Sequence, residues 1–252
     1  MAKPGESTEP PKARGAPVAV VQQLELPRAG GVLIFGAEGI GVDLAKALVV
    51  KANHVTVVTD DDIKGRDLTA AGVTVMKANL ADPESLKSVF TSSPFRVVIS
   101  TLGERDAAPM DATDNKRVIE ATKTAGLERF VMISRIGVGD SADAPPWYVK
   151  APVKMMSGKA LQADADAESY LRASGLDYTV VRLGGLLDKP ADHTATLTPD
   201  VKVYSQITRA DAADVLVKCA DDAATIKKTL AIFDPNRVGF LALFGHRSEA
   251  AR

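Results

Sequence analysis

One stretch restricts the fold of this chain more than any other. Residues 32–35 are wholly apolar, residues 36–41 read GAEGIG, and residues 42–51 set Leu44, Ala45, Leu48 and Val49 at helical spacing. A buried strand, a tight glycine turn and a helix in that order open a βαβ unit. The alternation then repeats. Runs at 54–59, 73–77, 96–100, 129–134, 178–183 and 229–233 read as further strands. Between them, helices are expected at 63–71, from Asp82 (N-cap, with Pro83 in the first turn), at 111–125, 155–173 and 209–220. The predicted fold class is α/β: a Rossmann-like, doubly wound, mostly parallel sheet with helices on both faces and a small C-terminal lobe. Continuous apolar strands fit a sheet covered on both sides. Residues 135–152 read as an irregular lobe, and 184–207 as a polar, variable loop.

Composition narrows the function. Among 252 residues, 31 Lys and Arg nearly balance 32 Asp and Glu, for a net charge of -1. No nucleic-acid partner is expected from that balance, and no apolar run is long enough to span a membrane. The single Cys219 cannot form an internal disulfide and reads as buried and inert. Residues 1–28 are expected to be a disordered leader with a possible arm at 18–26. One domain should cover 29–234 and a tail 235–252, with Phe240 and Leu241 in an apolar clump. The compartment expected by default is the cytoplasm, or an organellar matrix or stroma if a targeting peptide has been removed. His54, His193 and His246 are scattered, so no metal site is expected.

The glycine turn is a phosphate cradle by its mechanics: it permits a tight turn, close approach of a pyrophosphate and an exposed helix N-terminus. Gly36, Glu38, Gly39, Ile40 and Gly41 are therefore cofactor-binding candidates. Glu38 would repel phosphate if it faced the cradle; the alternatives are that it turns to solvent or caps the helix. Asp60 lies 24 residues beyond Gly36, near the place of a ribose-binding acid. With Asp61 and Asp62 it favours NAD over NADP, softened by Lys64 and Arg66. The same three residues also suit a helix start.

Several ordered segments carry a resemblance: VLIFGAEGIG (32–41), NLADPESL (79–86), VVIS (97–100), NKRVIEATKTAGLERFVMIS (115–134), ESYLRASGLDYTVVR (168–182) and ITRADAADVL (207–216). Together they resemble the atypical short-chain dehydrogenase/reductases, close to the NmrA-like and NAD(P)-binding (SDR a5-like) families. The resemblance implies a Rossmann core, a substrate lobe and NAD(P) in the crevice, and Leu80 and Ser100 join the cofactor-binding candidates. The chain departs from the family in three places. The third glycine arrives one residue early, at Gly41. The Tyr-x-x-x-Lys pair of catalytic members falls on Ala160 and Asp164. An Arg-Pro step reads Arg182-Leu183.

Hydride transfer to a carbonyl needs a proton donor and a group that polarises the oxygen. The catalytic candidates are Ser134, at a strand end, and Tyr148, near Lys150 and Lys154. Ser134 also reads as a plain turn hydroxyl, and Trp147 with Tyr148 as an anchor for a partner. Arg182 either reaches a ligand or is salt-bridged, and Asp164, Asp166 and Glu168 read as a solvated helix face. The favoured function is a non-catalytic or weakly catalytic NAD(P)-binding-fold protein, a scaffold, sensor or subunit with protein partners. The alternative is an NAD(P)-dependent oxidoreductase acting on a small-molecule substrate. The cofactor is NAD or NADP, or none.

Overall fold

The structure, a computed structural model, describes residues 30–51, 54–59, 61–104 and 112–238. The expected leader and arm, Asp60, and the apolar clump of the tail lie outside the described residues. Along the chain run β1 (Gly31–Phe35), α1 (Gly39–Val50), β2 (Val55–Val58), α2 (Asp62–Ala70), β3 (Thr74–Met76) and α3 (Pro83–Thr91). They are followed by β4 (Phe95–Ser100), α4 (Thr113–Thr124), β5 (Arg129–Arg135), α5 (Trp147–Ala173) and β6 (Asp177–Leu183). Then come β7 (Gly185–Leu187), β8 (Thr196–Thr198), β9 (Gln206–Thr208), α6 (Arg209–Asp221) and β10 (Lys228–Phe233).

The main sheet has the order β3-β2-β1-β4-β5-β6-β10-β8 and is parallel except for the antiparallel edge strand β8. Because successive side chains of a strand point to opposite faces, β1 sends Val32 and Ile34 into one apolar layer and Leu33 and Phe35 into the other. The first layer packs under α1, α2 and α6, with Leu44, Leu68 and Leu216; the second under α3, α4 and α5, with Leu86, Val118 and Leu171. This is the doubly wound α/β architecture. Its winding reverses between β1 and β4, and such a switch point opens a crevice at the carboxyl ends of the strands.

Local rules account for most element ends. Asp82 caps α3 by accepting from the Glu84 amide at 3.1 Å, with Pro83 in the first turn. Two regions differ from expectation. The helix α5 begins at Trp147, eight residues before the expected start, with extended Pro146 as its N-cap and Pro152 inside it. A proline there removes one amide donor, yet the helix continues through it in an exposed stretch. Residues 184–207 are not an irregular loop: β8 closes the sheet edge, and β7 pairs with β9 in a small parallel sheet that forms the lobe. Gly184 permits this, since a Cβ there would run into the Ser205 carbonyl.

Candidate active site

The crevice begins at the turn after β1. Gly36 has φ +110°, and a Cβ on it would lie 2.5 Å from Thr101 Oγ1. A Cβ on Gly41 would drive into the Gly36 carbonyl oxygen. The early third glycine therefore seats α1 against the end of β1, and the shortened turn remains a strand–turn–helix cradle. Glu38, the N-cap residue of α1, makes no side-chain cap bond. Its carboxylate turns away to Lys64 at 2.6 Å, both side chains being partly exposed. Of the three orientations open to Glu38, the outward one is realised.

The cap comes from elsewhere. The Ile40 amide donates to Glu104 Oε2 at 2.8 Å. Glu104 ends a short 3₁₀ turn, Leu102–Glu104, directly after β4, and its side chain is 3% exposed. Arg209, the first residue of α6, donates through Nε to Glu104 Oε1 at 2.5 Å and also pairs with Asp188. The guanidinium lies across Gly39: a Cβ there would stand 2.6 Å from both Arg209 Nε and Glu104 Oε1. A helix N-terminus beside an arginine suits an anion. Here a carboxylate stands in that position, so the donors fit a phosphate group. Neither Glu104 nor Arg209 is a candidate in the sequence; Arg209 lies inside the ITRADAADVL segment, and Glu104 carries no local signal.

Beside this turn lies a cavity of about 500 Å³, lined among others by Gly36, Thr59, Ala78, Leu80, Leu102 and Arg117. Leu80 is thus at the crevice. Ser100 is not: its fully buried hydroxyl donates to Asn115 Oδ1 at 2.6 Å and ties β4 to α4. At the end of β2, Asp61 caps α2, accepting from the Ile63 and Lys64 amides, which hold its carboxyl below the usual range.

Along the crevice toward β5, Arg135 pairs with Asp164 at 2.6 Å and donates to the Gly103 carbonyl. Asp164, at the lysine position of the family pattern, is 4% exposed, and burial pushes its carboxyl up to about 6 against the pull of Arg135. The cation beside Asp164 comes from the neighbouring strand β5. Four residues on, Glu168 is fully buried and takes a bidentate grip from Arg182, at 3.0 and 2.8 Å. Burial opposes its charge, but the Arg182 guanidinium, with the nearby Ser134 hydroxyl, holds the carboxyl below its usual range. Asp164 and Glu168 are therefore not a solvated face; partners on β5 and β6 allow their burial. Arg182 is salt-bridged, also to Asp140, and with Glu168 it lines a separate cavity of about 330 Å³ that shares no lining residue with the one beside the glycine turn.

The two catalytic candidates are not brought together. Ser134 is 2% exposed, beside Glu168, and its hydroxyl makes no hydrogen bond of normal geometry. Tyr148 sits in the first turn of α5, twenty residues before Glu168, which is roughly 30 Å along a helix axis. Its neighbour there is Tyr204. His193 meets Asp214 at 2.9 Å beside Asp211, but both Asp211 oxygens already accept bonds from the His193 amide and the Thr208 hydroxyl, pinning the loop. Cys219 is buried, which pushes its thiol up to about 12. No helix among the described residues is long and apolar enough to cross a membrane.

Residues 36–223 match the NAD(P)H-binding family. "Uncharacterized sugar epimerase YhfK" of Bacillus subtilis is 27% identical over 207 residues, 77% of this chain and 89% of that protein. The structure of ChuY, an anaerobillin reductase from Escherichia coli O157:H7, superimposes with a TM-score of 0.73 at 25% identity, covering 83% of this chain and all of that one. A short-chain dehydrogenase/reductase from Veillonella parvula in complex with NADP shares the fold, with a TM-score of 0.68 at 20% identity over 84% of this chain and 99% of that one.

Proposed function

Because the chain belongs to the NAD(P)H-binding family, we propose that it is an NAD(P)H-dependent oxidoreductase of the short-chain dehydrogenase/reductase class, acting on a small molecule. The observation that carries this reading is the Arg135–Asp164 pair, a cation and a protonatable acid at the end of β5, where the Tyr–Lys couple of the family is missing. Likeness to a reductase favours it over a scaffold.

When bound, the nicotinamide supplies or accepts the hydride. Gly36 and Leu80 would border the adenosine end, and the Ile40 amide with Arg209 would hold the pyrophosphate. Arg135 stabilises the negative charge that develops on the substrate oxygen. Asp164, held against it, carries the proton that this oxygen takes up, since a carboxyl titrating near 6 gives and regains a proton near neutrality. Glu38 and Asp61 outweigh Lys64 at the end of β2, which favours free ribose hydroxyls, hence NAD(H), over a 2′-phosphate.

The test is titration with NADH and NADPH, followed by nicotinamide fluorescence and melting temperature, then turnover of anaerobillin and simple carbonyl compounds. Binding raises the melting temperature by mass action. Asp164→Asn should keep nucleotide affinity and lose turnover together with its pH dependence near 6. Unchanged turnover in Asp164→Asn removes the mechanism; no shift with either nucleotide at millimolar concentration removes the enzyme.

A second reading rests on the first turns of α5, where Trp147 is 82% and Met155 83% exposed. That face suits a protein partner. Trp147→Ser abolishing co-purification of a partner from native extract is the result expected of it.

A further inference from the structure

We propose that Arg209 and the first turn of α1 form the pyrophosphate-binding pair, and that Glu104 is a built-in competitor filling their anion position until a dinucleotide displaces it. This rests on the dinucleotide-binding reading above and adds how the site is gated.

The cap of α1 originates outside its own first turn. A helix N-terminus leaves amides without intrahelical partners, and the N-cap residue itself normally serves one of them. Glu38 does not. A carboxylate 64 residues away does, through the Ile40 amide. The same carboxylate accepts from Arg209, 105 residues further on. One anionic group thus bridges a helix N-terminus and a guanidinium at the switch point of a doubly wound sheet, which is the chemistry of phosphate recognition performed by a side chain. Gly39 leaves room for this bridge, because any Cβ would occupy the space of Arg209 Nε and Glu104 Oε1.

The bridge is built to be exchanged. Arg209 keeps a second partner, Asp188, on the solvent side, so it is not stranded when Glu104 leaves. An incoming pyrophosphate offers both donors more negative charge than one carboxylate. The turn that carries Glu104 is short; the Glu104 amide donates to the Thr101 carbonyl at 3.1 Å. With Glu104 in place, a dinucleotide meets a like charge at its phosphates, while adenosine, which ends before them, does not.

The experiment compares the full chain with Glu104→Gln, Glu104→Ala and Arg209→Gln, measuring dissociation constants for NADH, ADP and adenosine by calorimetry. Glu104→Gln keeps the side-chain volume and an acceptor for the Ile40 amide, so it guards against misfolding. The expected result is NADH and ADP binding about tenfold tighter in both Glu104 variants, adenosine unchanged, and Arg209→Gln weaker for NADH and ADP alone. If the wild type binds NADH and the Glu104 variants bind it no tighter, the competitor is overturned and the dinucleotide reading stands. Equal tightening for adenosine also overturns it. If no variant binds NADH, both fall.

Discussion

Two carboxylate–arginine pairs differ in how deeply they lie, one joining α5 to β6 and the other joining the turn after β4 to α6. Glu168 and Arg182 are both 1% exposed, joined by two hydrogen bonds. Glu104 is 3% exposed but its Arg209 is 21% exposed, with one bond between them and a solvent-facing third partner. Both pairs carry more exposed outer partners, Arg172 and Asp140 on the first and Asp188 on the second; what differs is the burial of the arginine itself. A buried pair broken on one side strands a charge at a cost of several kcal/mol, whereas a pair reached by solvent or by a competing anion can exchange partners. The first pair is therefore a structural tie between α5 and β6. The second is the pair whose arginine solvent reaches.

The contrast can be broken by measurement. The largest effect is expected from Glu168→Ala, which should lower unfolding free energy in urea by about 3–4 kcal/mol, since Asp140 alone remains on Arg182. A loss under about 1 kcal/mol would erase the distinction between the pairs. Next comes pH. Asp164 keeps in the folded state, up to about 6, a proton that the unfolded chain releases near 3.8. Its contribution thus makes stability fall as pH rises between those values, by roughly 3 kcal/mol. Glu168, four residues along, is shifted down; its contribution is present above the ordinary carboxylate value and lost as pH falls through the folded one. Asp164→Asn should remove the fall between pH 4 and 6, read from urea midpoints across pH, and leave the acid limb. A variant that keeps the fall assigns it elsewhere.

Glu104→Ala should cost less, about 1–2 kcal/mol, as one helix-cap bond and one partly solvated ion pair are lost; urea unfolding beside Glu168→Ala gives the ranking directly. Smallest is Ser134→Ala, expected within about 1 kcal/mol of the wild type because its hydroxyl makes no well-formed bond. A larger loss would mean that Ser134 holds Glu168 in place.

Much of the fold is legible in the residues because it is local. The 32–51 stretch reads as strand, turn and helix, and β1 and α1 are found there; Asp82 caps where a capping residue precedes a proline. The candidate site is legible only in part. The glycines at 36, 39 and 41 mark the turn, and Leu80 lines the cavity beside Gly36, but Ser100 is spent on α4 and Ser134 is buried beside Glu168. Residues 135–152 read as an irregular lobe, which hides the first turns of α5. Asp164 and Glu168 read as solvated because nothing within their own helix announces arginines arriving from β5 and β6.

Apolar periodicity and glycine placement alone determined that this chain winds strands and helices into a two-faced parallel sheet with a phosphate-type turn at its first strand, since those signals act between residues a few positions apart. Which acid occupies that turn was decided by the tertiary structure. Glu104, Ile40 and Arg209 are joined across separations of 64 and 105 residues, and only the winding of the sheet sets such distances. Charge on a side chain can be read from the sequence; the partner that burial forces upon it cannot.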